Sequence, residues 1–264
     1  MTQLVRKELR DQRRALIGWG TGLLAMVLMY SSFWPSVRDN ADQFESYLEN
    51  IPDALRSVIG ELSLGTPVGY LQSELFSFLG PALILVFAIG AGARSLAGEE
   101  EQGTLDLLVV TPIPRGMIVL QKFVAMALTA LGLGIVVWVS VVVIGRLFEL
   151  DVPFGDIAAA TLHLLLLGMA FGAIALLLGA WRGRKSLAIG LTSALAVGAF
   201  LLDAFASAVD GIAWAGRLSP FHYYGDSLPL QNGLHVGHAG VLAAIAIVAL
   251  VGAILAFDRR DLRT

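Results

Sequence analysis

Residues 94–122 read RSLAGEEEQGTLDLLVVTPIPRGMIVLQK, a polar run with long apolar segments on both sides. Three consecutive carboxylates, Glu99, Glu100 and Glu101, cannot sit in hydrocarbon, so the chain must surface here between two membrane spans. Gln102-Gly103-Thr104 breaks the run. Leu105, Leu107, Leu108, Val109 and Val110 follow with Asp106 among them, and Pro112 and Pro114 stop any helix begun near Thr104. The pattern predicts a short amphipathic helix lying on the membrane surface before the chain dives again.

Composition agrees with that reading. Of 264 residues, 56% are hydrophobic and 15% charged, and the mean hydropathy is +0.75, whereas a soluble domain carries about a quarter charged residues. The chain is therefore expected to be an integral membrane protein, all-α and a single membrane domain over residues 1–264. There is no cysteine, which excludes disulfides and thiolate metal sites. The first apolar run is long enough to stay in the bilayer, so no cleavable signal peptide is expected.

A span needs about 20 mostly apolar residues, and six such segments occur, at about 16–34, 75–97, 117–145, 157–181, 186–209 and 241–257. A basic, helical stretch with Arg6, Lys7, Arg10, Arg13 and Arg14 precedes the first. Between the first two, residues 35–74 form an acidic interlude, in which Phe44, Tyr47, Leu48 and Ile51 at helical spacing predict one or two short helices on the outer face. Pro81 falls in the first turns of the second span, where a kink is tolerated if neighbours satisfy the freed carbonyl. Gly18 with Gly22, and Gly168 with Gly172, are small pairs spaced for close helix contact. Trp19, Trp34, Trp138, Trp181, Trp214, Tyr223 and Tyr224 suit an interfacial belt.

Six spans put both termini on one side. Fourteen of the 18 Lys and Arg residues then fall on the side of the termini and of the Glu99 loop, against Arg38, Arg56, Arg146 and Arg217 on the other. The excess of positive charge places that side, and both termini, in the cytoplasm.

Glu-Gln-Gly-Thr-Leu-Asp-Leu-Leu from Glu101, then Thr-Pro-Ile-Pro-Arg from Thr111, then Lys122 at the head of a span, resembles the cytoplasmic loop of type-2 ABC exporter permeases. Asp106 stands where the family pattern has Glu, which keeps the charge, and Pro114 where it has Ser, which removes a hydroxyl. The motif covers about a tenth of the chain, and the span layout extends the likeness over most of the rest. The resemblance implies the membrane subunit of an ATP-driven exporter in a bacterial inner membrane. Its implied partners are a second permease subunit, identical or related, and separate ATPase subunits that bind ATP and Mg. Motor closure would be received by the loop between spans two and three. Glu99, Glu100, Glu101 and Asp106 are then expected as polar docking groups, Gly103 and Thr104 as the turn and cap into the surface helix, and Arg115 and Lys122 as lipid-headgroup or motor contacts.

The residues argue against an ATP site in this chain. A phosphate-cradling loop needs Gly-x-x-x-x-Gly-Lys-[Ser/Thr]. The nearest approach, Gly179 to Ser186, is short by one residue and reads as the basic turn between spans four and five. No enzymatic activity, cofactor, metal or nucleic acid is expected of it. Gly225-Asp-Ser-Leu228 matches a short esterase block but lies in a late outer loop. His222, His235 and His238 share that loop, with Asp226 as a candidate oxygen ligand, and read as solvated histidines. Two ionisable groups lie at membrane depth, Asp203 in span five and His163 in span four. They are candidates for a substrate path, or for helix–helix hydrogen bonds. A stand-alone secondary carrier or membrane-embedded enzyme using Asp203 is the competing reading. A third is a non-transporting anchor for an ATPase.

Overall fold

A computed structural model describes residues 2–40, 65–105 and 113–260. Among them every regular element is helical. Helix α1 (Thr2–Asp11) precedes six helices long and apolar enough to cross a membrane. These are α2 (Arg13–Asp39), α3 (Pro67–Glu101), α4 (Arg115–Leu147), α5 (Phe154–Arg182), α6 (Lys185–Ala208) and, after the short helix α7 (Pro220–Gly225), α8 (Val236–Asp258). Each expected span falls within one of them to a residue. The expected outer helices near Phe44 and Ile51, and the surface helix beyond Leu105 with Asp106, lie outside the described residues.

The first two spans are longer than hydropathy indicates. α2 continues through Pro35, four residues before its end, and α3 begins at Pro67, capped by the Thr66 hydroxyl accepting from the Gly69 N–H at 3.1 Å. The last turns of α2 and the first of α3 are stapled together. Trp34, 1% exposed, stacks against Tyr70 at 5.3 Å between ring centroids, and the Tyr70 hydroxyl donates to the Tyr30 carbonyl at 2.8 Å. Trp34 and Tyr224, both expected in an interfacial belt, therefore belong to the core, while Trp181 and Trp214 are exposed.

α3 is not a uniform α-helix. Residues Gln72–Leu79 and Arg94–Gly98 form π turns on either side of the α-helical Gly80–Ala93. Pro81 explains the first. It brings no N–H, and the Gly80 N–H goes to the Leu75 carbonyl, five residues back. The Phe76 carbonyl is left without a helical donor at i+4 or i+5. The hydroxyl of Tyr224, buried in α7, donates to it from across the bundle.

α5 is the centre of the bundle. Two-thirds of its apolar window is buried, against 22% for α6, and it packs on α3, α4, α6 and α8. The approach to α3 is close because both helices offer small residues. A Cβ at Gly92 would run into the Gly172 carbonyl oxygen, and one at Gly168 would stand 3.0 Å from Ile84. Gly168 and Gly172 thus form the expected contact, whereas Gly18 and Gly22 meet nothing within 4 Å. The peripheral position of α6 leaves a face of α3 uncovered, and a cleft opens there.

Candidate functional site

Both ends of the described chain meet at one pole of the bundle, and the three carboxylates that open the polar run hold that pole together. Each reaches a different element. Glu99 accepts from Lys122 of α4 at 2.5 Å, and Lys122 also donates to Glu8 of α1. Glu100 takes a two-pronged ion pair from Arg260, just past α8, with contacts of 2.9 and 2.5 Å. Glu101 accepts from the backbone N–H of Lys185 at 2.9 Å. That N–H is one of the unpaired donors at the start of α6, where a carboxylate is favoured. One turn of helix thereby ties α1, α4, α6 and α8 to the end of α3.

Neighbouring bonds close the arrangement. The Gln12 side chain, at the junction of α1 and α2, accepts from Thr129 of α4 at 2.9 Å. Arg115, at the first turn of α4, donates to the Arg260 carbonyl at 2.8 Å, and Arg260 also reaches the Ala180 carbonyl at 3.3 Å. The side chain of Lys122 is 1% exposed, so this lysine, expected at a headgroup or motor surface, touches neither. A lysine so placed is held by its two carboxylates, since a lone ammonium there would be severely destabilising.

Two glycines shape the pole. Gly103 has φ +68°, its N–H bonds the Glu100 carbonyl at 3.0 Å, and the Thr104 N–H bonds that of Glu99 at 2.9 Å. This is a Schellman ending of α3, so Gly103 and Thr104 close the preceding helix. Leu105 follows and is buried among Ile118, Leu176 and Phe257; it pins the start of the loop instead of lying on the surface. Gly183 has φ +63° and ends α5, its N–H on the Gly179 carbonyl at 2.9 Å. A Cβ there would strike Arg260 and Glu100. The stretch that approached a phosphate loop is thus a helix ending fitted around an ion pair.

A cleft of about 630 Å³ runs between α2, α3 and α6, from Phe78 and Phe221 at the far end to Arg94 at the pole. Along α3 this covers Ser77 to Arg94, about 25 Å at helical rise. Its walls are apolar and open sideways: Phe78, Val86 and Val197 are 63%, 61% and 58% exposed. Trp19 enters it from α2, edge-on to Phe87.

Asp203 and His163 lie off the cleft. His163 is fully buried on α5, its Nδ1 3.0 Å from the Ala159 carbonyl and its Nε2 without a partner. Asp203 faces α7 at the far end, where His222 stands 3.9 Å from it and 4.0 Å from Asp226. His235 and His238 stack beside them, 4.1 Å between ring centroids. No group of three or more His, Cys, Asp or Glu among the described residues has the geometry to hold a metal ion.

Sequence reasoning missed Glu8, Gln12, Arg260 and Gly183. Glu8 carries a faint signal, one of two acids in a strongly basic amino end. The others depend on helix ends brought together by the fold.

Residues 2–262 match the family model described as ABC-2 family transporter protein. The chain is also similar to the probable ABC transporter permease protein NosY of Stutzerimonas stutzeri, at 32% identity over 198 residues. That alignment takes in 71% of this chain and 62% of the relative, so it spans less than two-thirds of the relative's length.

Proposed function

The chain belongs to the ABC-2 family of transporter proteins, and on that premise we propose that it is the membrane-spanning subunit of an ATP-driven exporter. A separate ATPase binds ATP and Mg and docks on the loop that starts at Gln102 and returns at Arg115. The pole lies in the cytoplasm of a bacterium, as its basic residues favour, and a second permease subunit completes the transporter.

The observation that carries this reading is the turn from Glu99 to Glu101. The exposed residues that follow it, Gln102, Gly103 and Thr104, are a contact face. The carboxylates behind them reach α4, α8 and α6. A displacement delivered to the loop is thus passed to three spans at once, through short charged contacts that resist stretching. In this reading Glu99, Glu100, Glu101 and Lys122 transmit, and the motor touches the residues beyond them. The cleft between α2, α3 and α6 is the transport path. Asp203 and His222 are the polar groups that cargo meets on leaving, and His163 is a packing group of α5.

The test is co-purification. The tagged chain extracted in mild detergent should bring down an ATPase subunit. Gln102→Lys with Thr104→Lys should lose it, while leaving the permease folded and monodisperse. Absence of any ATPase from the wild-type preparation would return the chain to the stand-alone carrier or enzyme reading.

A further inference from the structure

Among the described residues Arg94, at the pole end of the cleft, has no counter-charge. Arg94 stands in the second π turn of α3, five residues before Glu99, about 7 Å short of the surface turn along the helix. Among the described residues no ion pair or hydrogen bond reaches its side chain, whereas Lys122, Arg115 and Arg260 at the same pole are all engaged. Its direction is also unusual. An arginine near the end of a span ordinarily extends toward water. Helical side chains lean toward the helix N-terminus, and α3 runs toward the pole, so Arg94 leans back into the membrane. Its guanidinium lies against Gly90 one turn deeper, with Nη1 and Nη2 3.6 and 3.7 Å from where a Cβ would stand. Both residues line the cleft.

Among the described residues, the lining beyond Arg94 holds no carboxylate, and its hydroxyls are those of Ser77 and Ser193. The remaining walls are apolar, from Ile89 through Val86 to Phe200. Arg94 is exposed toward this cleft, and an unpaired cation within a span of this length marks a ligand or ion path. A guanidinium presents a fork of donors that matches two oxygens of one anionic head. The volume is that of a small-molecule site.

We propose that the cleft takes an amphipathic anion, a single carboxylate, phosphate or sulfate head on an apolar tail, with the head on Arg94 and the tail along α3 and α6 toward Phe200. This deepens the exporter reading and rests on it for the direction of travel, though not for binding.

The experiment uses the full chain, with its ATPase where one co-purifies, in nanodiscs of phosphatidylcholine. Trp19 is the one tryptophan in the lining, so quenching by brominated stearate, taken as the difference between wild type and Trp19→Phe, reports occupancy. The acid should bind about ten- to a hundredfold more tightly than its methyl ester, the worth of a charged hydrogen-bonded head. An alkyl phosphate should compete. Arg94→Gln should bring the acid down to the ester, and Arg94→Lys should keep part of the preference. Equal quenching by acid and ester, or a preference that survives Arg94→Gln, overturns the assignment. So does displacement of the probe by phosphatidylglycerol but not by the alkyl phosphate, which makes the occupant a resident bilayer lipid. Binding is read without ATP. A chain that couples to its motor but ignores the acid refutes this inference alone, and one that binds the acid but has no motor refutes the exporter reading.

Discussion

Lys122 is the residue on which the pole depends most. It stands between Glu8 and Glu99 with its side chain 1% exposed, and removing one partner of a buried ion pair costs about 3–5 kcal/mol because the remaining charge is stranded. Lys122→Met should therefore lower the thermal midpoint of the detergent-solubilised protein sharply. The triple variant Glu8→Gln, Glu99→Gln, Lys122→Met, which removes every charge together, should recover most of the loss. Gly183 and Gly103 form a second comparison. Both adopt left-handed backbone, which costs a residue with a Cβ about 1–2 kcal/mol. Nothing lies within 4 Å of a Cβ at Gly103, whereas one at Gly183 strikes Arg260 and Glu100. Gly183→Ala should be the more destabilising in the same thermal assay, and the excess is the steric disturbance of the ion pair.

Among the elements, α3 shows where sequence reading succeeds and where it stops. Its apolar length, its surfacing at Glu99 and the turn at Gly103 are written locally, as a hydropathy run, a charge run and a glycine before Thr104. The extension to Pro67 depends on Trp34 packing on Tyr70, a contact between residues far apart in the chain, and no local pattern carries it. The same holds for the carboxylates. Their charge put them at a surface, but which helix each one holds is decided by the meeting of α1, α4, α6 and α8. Pro81 announced a kink, yet the π turn that absorbs it needs the Tyr224 hydroxyl on the Phe76 carbonyl. Tyr224→Phe should cost about 1–3 kcal/mol by leaving that carbonyl unsatisfied. In a Pro81→Ala background, where an N–H returns to the helix, the same substitution should cost clearly less. A double-mutant cycle by thermal unfolding reads the difference.

For the whole molecule, the peripheral helix and the pole serve separate tasks. α6 is the least buried of the six spans and flanks the cleft. Its first turn is nevertheless held by Glu101, on the same closing turn of α3 whose Glu100 grips Arg260 beyond α8. On the proposed function, movement at the pole is expected to reach the cleft through the Glu101 contact with the first turn of α6.

If the Glu99–Glu101 turn transmits motor action, as proposed, a charge swap at its ion pair separates coupling from docking. Glu100 and Arg260 pair through two hydrogen bonds. In the reconstituted transporter, Glu100→Arg should retain the ATPase subunit but lose transport per ATP hydrolysed by about tenfold or more, the worth of a charged hydrogen-bonded pair. Adding Arg260→Glu should restore most of it. Coupling that is unchanged in Glu100→Arg, or that the second substitution fails to restore while both variants stay folded and motor-bound, would contradict the account.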